Sequence, residues 1–137
     1  MIETYRGVVF PWLADQMGHL TTSRYVEMFD VAAYHLAHRL GLGPDRTGRF
    51  GLADVRQEID YKVEVPVGAL VLIRSGILSS GRSSYRARHM MTSPDRRDTH
   101  AVLEAVTVRF DLIQRKSAPL PPDFADRAAE VAVERTA

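Results

Sequence analysis

A carboxylate, a glycine and a histidine stand together in the stretch Trp12-Leu13-Ala14-Asp15-Gln16-Met17-Gly18-His19-Leu20, and Thr21-Thr22-Ser23 follows directly. Hydroxyl residues at such a point favour a helix start. An acid placed there faces backbone N–H groups that have no partner inside the helix, next to the positive end of the helix dipole. That geometry suits a general base or carboxylate nucleophile working beside fixed donors that can hold a developing oxyanion. The competing reading of Asp15 is a loop aspartate that caps its own turn. His19 can position Asp15 or touch a substrate, and can equally be a packed histidine tying the loop to a sheet. Thr22 and Ser23 read first as helix caps. Tyr25 reads first as core, and any donation from Thr22 to a ligand is expected from its backbone. No G-x-S-x-G elbow and no cysteine offers another nucleophile. His35 and His38 are one helical turn apart, but neither they nor His89 and His100 form a metal-ligand pattern, so no metal is expected.

The element that must position these residues is the helix itself. Tyr25, Phe29, Ala32, Ala33, Leu36 and Leu40 recur at helical spacing, which predicts a helix from about Thr22 to Leu40 with one face buried. Val26, Val31 and Tyr34 widen the stripe, so protein is expected on more than one side. Gly41 and Pro44 stop it. Ahead of it, Tyr5–Phe10 is a short strand ended by Pro11. Behind the Gly- and Pro-rich connector 41–51, strict alternation predicts a half-buried strand from Asp54 to Val65, with Val55, Ile59, Tyr61, Val63 and Val65 on one face. Gln57 interrupts that face. Further strands are expected at Ala69–Leu78, Ser83–Thr92 and His100–Ile113, joined by hairpins, and a short tail helix from Asp123 as N-cap within residues 121–137.

The chain has 137 residues, 45% hydrophobic and 26% charged, with formal net charge +1. Those values suit one soluble domain, residues 1–137, and give no basic surface for nucleic acid or membrane. No signal-like segment and no membrane span is read, so a cytoplasmic address is expected. One strand, one long helix, then four hairpin-linked strands predict an α+β fold in which a curved antiparallel sheet wraps the helix. A second, partly apolar face of that sheet predicts a dimer.

The order of these elements, together with Asp15-Gln16-Met17-Gly18-His19-Leu20 and Tyr25 five residues on, resembles the hotdog fold. Within that fold it resembles the 4-hydroxybenzoyl-CoA thioesterase-like branch of acyl-CoA thioesterases, from about Tyr5 to Pro119. The resemblance implies a long central helix wrapped by a curved five-stranded antiparallel sheet. It implies a dimer with one continuous sheet, doubled to a homotetramer, and active sites at the dimer interface. Asp15 falls on the family's catalytic aspartate, Gly18 on the glycine that turns the loop, and the donor for the thioester carbonyl falls at or near Thr22. Thr21-Thr22 stands where many relatives carry Asn-Asn, which bears on acyl specificity. Trp12, a large side chain ahead of the motif, is expected at the acyl pocket. Arg82, Ser83 and Ser84 correspond to a hairpin that often meets coenzyme A phosphates in relatives; the alternative for them is a solvated turn.

The expected reaction is hydrolysis of acyl-CoA to a free acid and coenzyme A, with no cofactor. The rival readings are a hydratase or dehydratase pairing Asp15 with His19, and a module that binds acyl-CoA without turnover. Glu58 and the helix acids Glu27 and Asp30 are not assigned to catalysis.

Overall fold

The computed structural model describes residues 1–134; the end of the expected tail, residues 135–137, lies outside them. The elements run β1 (Ile2–Val8), a 3-10 turn (Pro11–Leu13), α1 (Thr22–Arg39), β2 (Phe50–Tyr61), β3 (Leu70–Ser80), β4 (Ser84–Thr92), β5 (Thr99–Asp111), β6 (Lys116–Ser117) and α2 (Phe124–Glu130). The strands form one antiparallel sheet in the order β1-β3-β4-β5-β2, with the two-residue β6 added on β5. The sheet curves around α1, giving the expected α+β hotdog architecture with five long strands.

The apolar stripe places α1 as expected. Tyr25, Met28, Phe29, Ala32, Leu36, Ala37 and Leu40 are buried. Val26, Val31 and Tyr34 do not find protein around them; Tyr34 is 73% exposed in the single chain. The reason is where the helix lies. It sits over β1, β3 and β4, with Tyr25 and Phe29 sharing a cluster with Leu103 and Ala105 of β5, and no further layer among the described residues covers its outer side. Two clusters fill the core. One, near the start of α1, joins Leu20, Tyr25 and Phe29 to Val65, Ile73, Met91 and Leu103. The other, at its far end, joins Leu36 and Leu40 to Ile77 and Tyr85, and is closed by Phe124 and Val131 of the C-terminal segment. Asp123 is the N-cap of α2, but its side chain accepts a hydrogen bond from Arg127 at 2.7 Å instead of capping the helix.

The face of β2 differs from the sequence expectation, and that of β5 is settled by its pairing. β2 carries a bulge between Asp54 and Arg56, so Val55 has no place in the alternation and is 63% exposed. Asp54 pairs with Thr107 and Gln57 with Ala105, which sets both on the concave side with Ile59 and Tyr61. On β5 the buried face is Ala101, Leu103, Ala105 and Thr107, while Val102, Val106 and Val108 are half-buried on the outer side. Both faces of β5 are apolar, so alternation alone does not tell which one meets the helix. The outer face is dressed with charge: Glu104 accepts from Arg86 at 3.2 Å and from Arg88 at 2.7 Å.

Candidate active site

The Asp15 loop is a closed turn laid against the β2–β3 connection. Ala14 and Leu20 form a bridge across it, and the Asp15 N–H donates to the His19 carbonyl at 2.9 Å. Gly18 turns the loop at φ +77°, a conformation that glycine adopts without strain. The Leu20 N–H donates to Val65 and the Val67 N–H to Gly18, which fixes the loop to the rim of the sheet. Inside the turn, Asp15 Oδ1 accepts from the Met17 N–H at 2.9 Å and the His19 N–H at 3.3 Å. So Asp15 does cap its own turn, but with one oxygen. Oδ2 has no hydrogen-bond partner among the described residues, and the side chain is exposed.

The helix start is open. Thr21, not Thr22 or Ser23, is the N-cap, and its side chain makes no capping bond. Thr21's own N–H is taken by Leu13 at 3.0 Å and Arg24's by Thr21. The N–H groups of Thr22 and Ser23 meet no acceptor among the described residues, and both residues are exposed. An uncapped helix end with free donors is a ready site for a negative oxygen.

His19 does not pair with Asp15. Its Nε2 lies 3.2 Å from Glu64, and its Nδ1 is buried without a partner among the described residues. An Asp15–His19 acid–base pair, as a hydratase would use, is not formed. Tyr25 is core, buried and edge-on to Tyr61 with ring centroids 5.1 Å apart; burial pushes its phenol up. Trp12 is 70% exposed in the single chain and stacked on Phe10, with ring centroids 4.7 Å apart. Arg82, Ser83 and Ser84 sit at the β3–β4 hairpin. β3 begins beside the Asp15 loop and spans 11 residues to that hairpin. At about 3.3 Å per residue they stand some 30 Å from Asp15 in the same chain.

A second polar group lies halfway along α1, and the sequence signals it only through Gln57. Asp54 accepts from Thr107 at 2.7 Å and from Gln57 at 2.8 Å. These three face a small cavity beneath Phe29 and Ala33, lined also by Tyr85 and His89. His89 is 2% exposed and burial pushes its imidazole down to about 4. Its Nδ1 meets Ser75 Oγ at 2.5 Å, Ser75 meets Thr4 Oγ1 at 2.7 Å, and Thr4 donates to the Ile73 carbonyl at 3.2 Å. Among the described residues no three His, Asp or Glu side chains gather as a metal site. No helix is long and apolar enough to cross a membrane.

A profile of the thioesterase-like superfamily matches residues 8–128. No curated protein matches the chain. Among solved structures, an inferred thioesterase of Pseudomonas putida is 26% identical with TM-score 0.81, over 95% of this chain and 84% of that one. The 1,4-dihydroxy-2-naphthoyl-CoA thioesterase of Synechocystis is 19% identical with TM-score 0.80, over 93% and 95%. A Staphylococcus aureus protein solved in complex with CoA is 16% identical with TM-score 0.82, over 99% and 90%.

Proposed function

This chain belongs to the thioesterase-like superfamily and is a thioester hydrolase, and from that premise we propose that it cleaves acyl-CoA with Asp15 and the open start of α1. The observation that carries the reading is the pairing of a half-free carboxylate with unpartnered N–H donors at Thr22 and Ser23. The thioester carbonyl oxygen accepts from those donors, which stabilise the negative charge it gains when attacked. Asp15 Oδ2 takes a proton from water as the water oxygen bonds to the carbonyl carbon. The C–S bond then breaks, and the proton passes to the leaving thiolate, giving a free acid and coenzyme A. Direct attack by Asp15 to give an anhydride is the other route open to the same carboxylate. Single turnover in 18O-water detects the anhydride when water opens it at the Asp15 carbonyl, since only then does label enter the protein.

The functional unit we propose is a dimer. β2 is a 12-residue edge strand exposed along nearly its whole length, and long bare edges are covered in stable proteins. Antiparallel pairing of β2 with β2 of a second copy sets the Phe50 end of one chain beside the Tyr61 end of the other. Arg82, Ser83 and Ser84 then serve the partner's Asp15 site, where arginine suits the phosphates of coenzyme A. A homotetramer is two such dimers.

Release of free thiol from a panel of short, long and aromatic acyl-CoAs tests the reading, wild type beside Asp15→Asn. The expected result is hydrolysis of at least one ester, reduced about 100-fold or more in the variant. Full activity in Asp15→Asn overturns the role of Asp15, and no thiol release from any ester overturns acyl-CoA as substrate.

A further inference from the structure

The net charge of +1 hides an uneven distribution. Where the start of β2, the end of β5 and the β3–β4 hairpin meet, Arg46, Arg49, Arg82, Arg109, Arg115 and Lys116 stand together. Backbone pairing brings them there. Asp111 pairs with Phe50 on one side and Lys116 on the other, and the Arg109 N–H donates to the Ser83 carbonyl at 2.8 Å. Residues 45–50, 82–84 and 109–117 hold these six cations and two acids, so the rest of the chain is net negative. Neither acid is free. Asp45 accepts from the Thr47 hydroxyl at 2.6 Å and from the N–H groups of Thr47, Arg49 and Phe50. Asp111, 3% exposed, accepts from the N–H groups of Ile113 and Gln114 and from Arg49 at 3.0 Å. Of the six cations only Arg49 forms an ion pair among the described residues. Arg109 is held 4.2 Å from the centroid of the Phe50 ring and Arg115 5.2 Å from that of Phe110, so both guanidinium groups are placed before any partner arrives.

The β5–β6 turn adds an apolar centre to this charge. Ile113 is 72% exposed and Leu112 44%, and the turn that presents them is fixed from inside by Asp111. Arg115 in the same turn holds φ +58°, a left-handed conformation that favours glycine. A phosphate calls for cations alone and gains nothing from two exposed apolar side chains set among them. An acidic helix with an apolar residue on the same face satisfies both, as an apolar anchor inside a charged rim. In the dimer paired through β2, this end of the sheet stands beside the second copy's Asp15 site. Resting on the thioester-hydrolase reading of that site, we propose that the β5 end is a docking surface for an acidic helical carrier protein, which delivers its acyl thioester there on a tethered arm. Opposite charge steers the encounter, and Ile113 holds the complex once formed.

The test sets one acyl group on three carriers: an acidic acyl-carrier protein, coenzyme A and pantetheine. Wild-type kcat/KM is expected to favour the carrier protein over acyl-CoA by about 10-fold or more at low ionic strength, and the advantage to shrink as salt is added. Ile113→Ser is expected to lower kcat/KM on the carrier protein about 10-fold or more, mainly through KM, and to leave acyl-CoA and acyl-pantetheine within about two-fold. Arg115→Gly, whose backbone adopts a positive φ without strain, is expected to fold and to lower turnover of the carrier-bound ester alone. A wild-type preference for acyl-CoA overturns the docking surface. So does an Ile113→Ser variant that shows no loss, or an equal loss on all three carriers; the thioesterase reading stands in each case. If no thioester is hydrolysed, that reading falls separately, and docking is judged by calorimetric titration with the holo carrier protein. Binding weakened about 10-fold or more in Ile113→Ser then supports it; unchanged or absent binding overturns it.

Discussion

Acidification from pH 7 to 4.5 should cost this fold a measurable share of its stability through one residue, His89. The imidazole is 2% exposed, donates to Ser75, and is held neutral by burial, with its folded value pushed down to about 4 from an ordinary 6.5. In the unfolded chain the same ring protonates near 6.5 and so stabilises the unfolded state as pH falls. The folded value lies below the unfolded one, so stability is complete above pH 6.5 and declines between 6.5 and about 4. Below that both states carry the proton and the loss levels off. At 1.36 kcal/mol per pH unit the full loss is roughly 3 kcal/mol, of which about 2 kcal/mol falls between pH 7 and 4.5. For a chain of this size that corresponds to a fall in Tm of about 6 °C. Many carboxylates also titrate near the lower limit, so the informative quantity is the difference between wild type and His89→Gln. The variant loses stability at pH 7 but should show a pH dependence flatter by about 2 kcal/mol in urea unfolding over this range. Parallel pH profiles for the two proteins would refute the argument that His89 is buried neutral.

Three other outcomes follow from the site and the edge. Thr22→Pro removes one backbone N–H at the first helical position, where proline is tolerated; it should fold normally yet lose about 100-fold or more in kcat with little change in KM. Gly18→Ala meets open space but forces a side chain into φ +77°, so a loss of about 1 kcal/mol in chemical denaturation is expected, together with a fall in thiol release as the Asp15 turn shifts. Val55→Arg, at the exposed bulge of β2, should shift a sedimentation profile from dimer toward monomer and reduce activity with it; a stable, fully active monomer would remove the proposed assembly.

The helix and its loop were legible in the sequence because the forces that make them are local. Apolar spacing from Tyr25 to Leu40 sets which face of α1 is buried, and the Asp15–Gly18–His19 turn closes through bonds among its own residues. Even so, the sequence misplaced the cap: Thr21 occupies it, and the open donors at Thr22 and Ser23 depend on no side chain folding back. The sheet was legible in outline only. Alternation along β5 is apolar on both sides, and pairing with β4 and β2 decides that Ala105 and Leu103 point to the helix while Val102 and Val106 point away. The bulge at Val55 exists only as a mismatch between two strands some 50 residues apart, and it is what brings Asp54 onto the same face as Gln57 and Thr107. Arg82 and Asp15 are joined by a resemblance in sequence but parted by the length of β3. Local hydrogen bonds and periodicity are written into consecutive residues; register, bulges and the end of a sheet at which a residue lands are set by partners far along the chain, and only the assembled fold decides them.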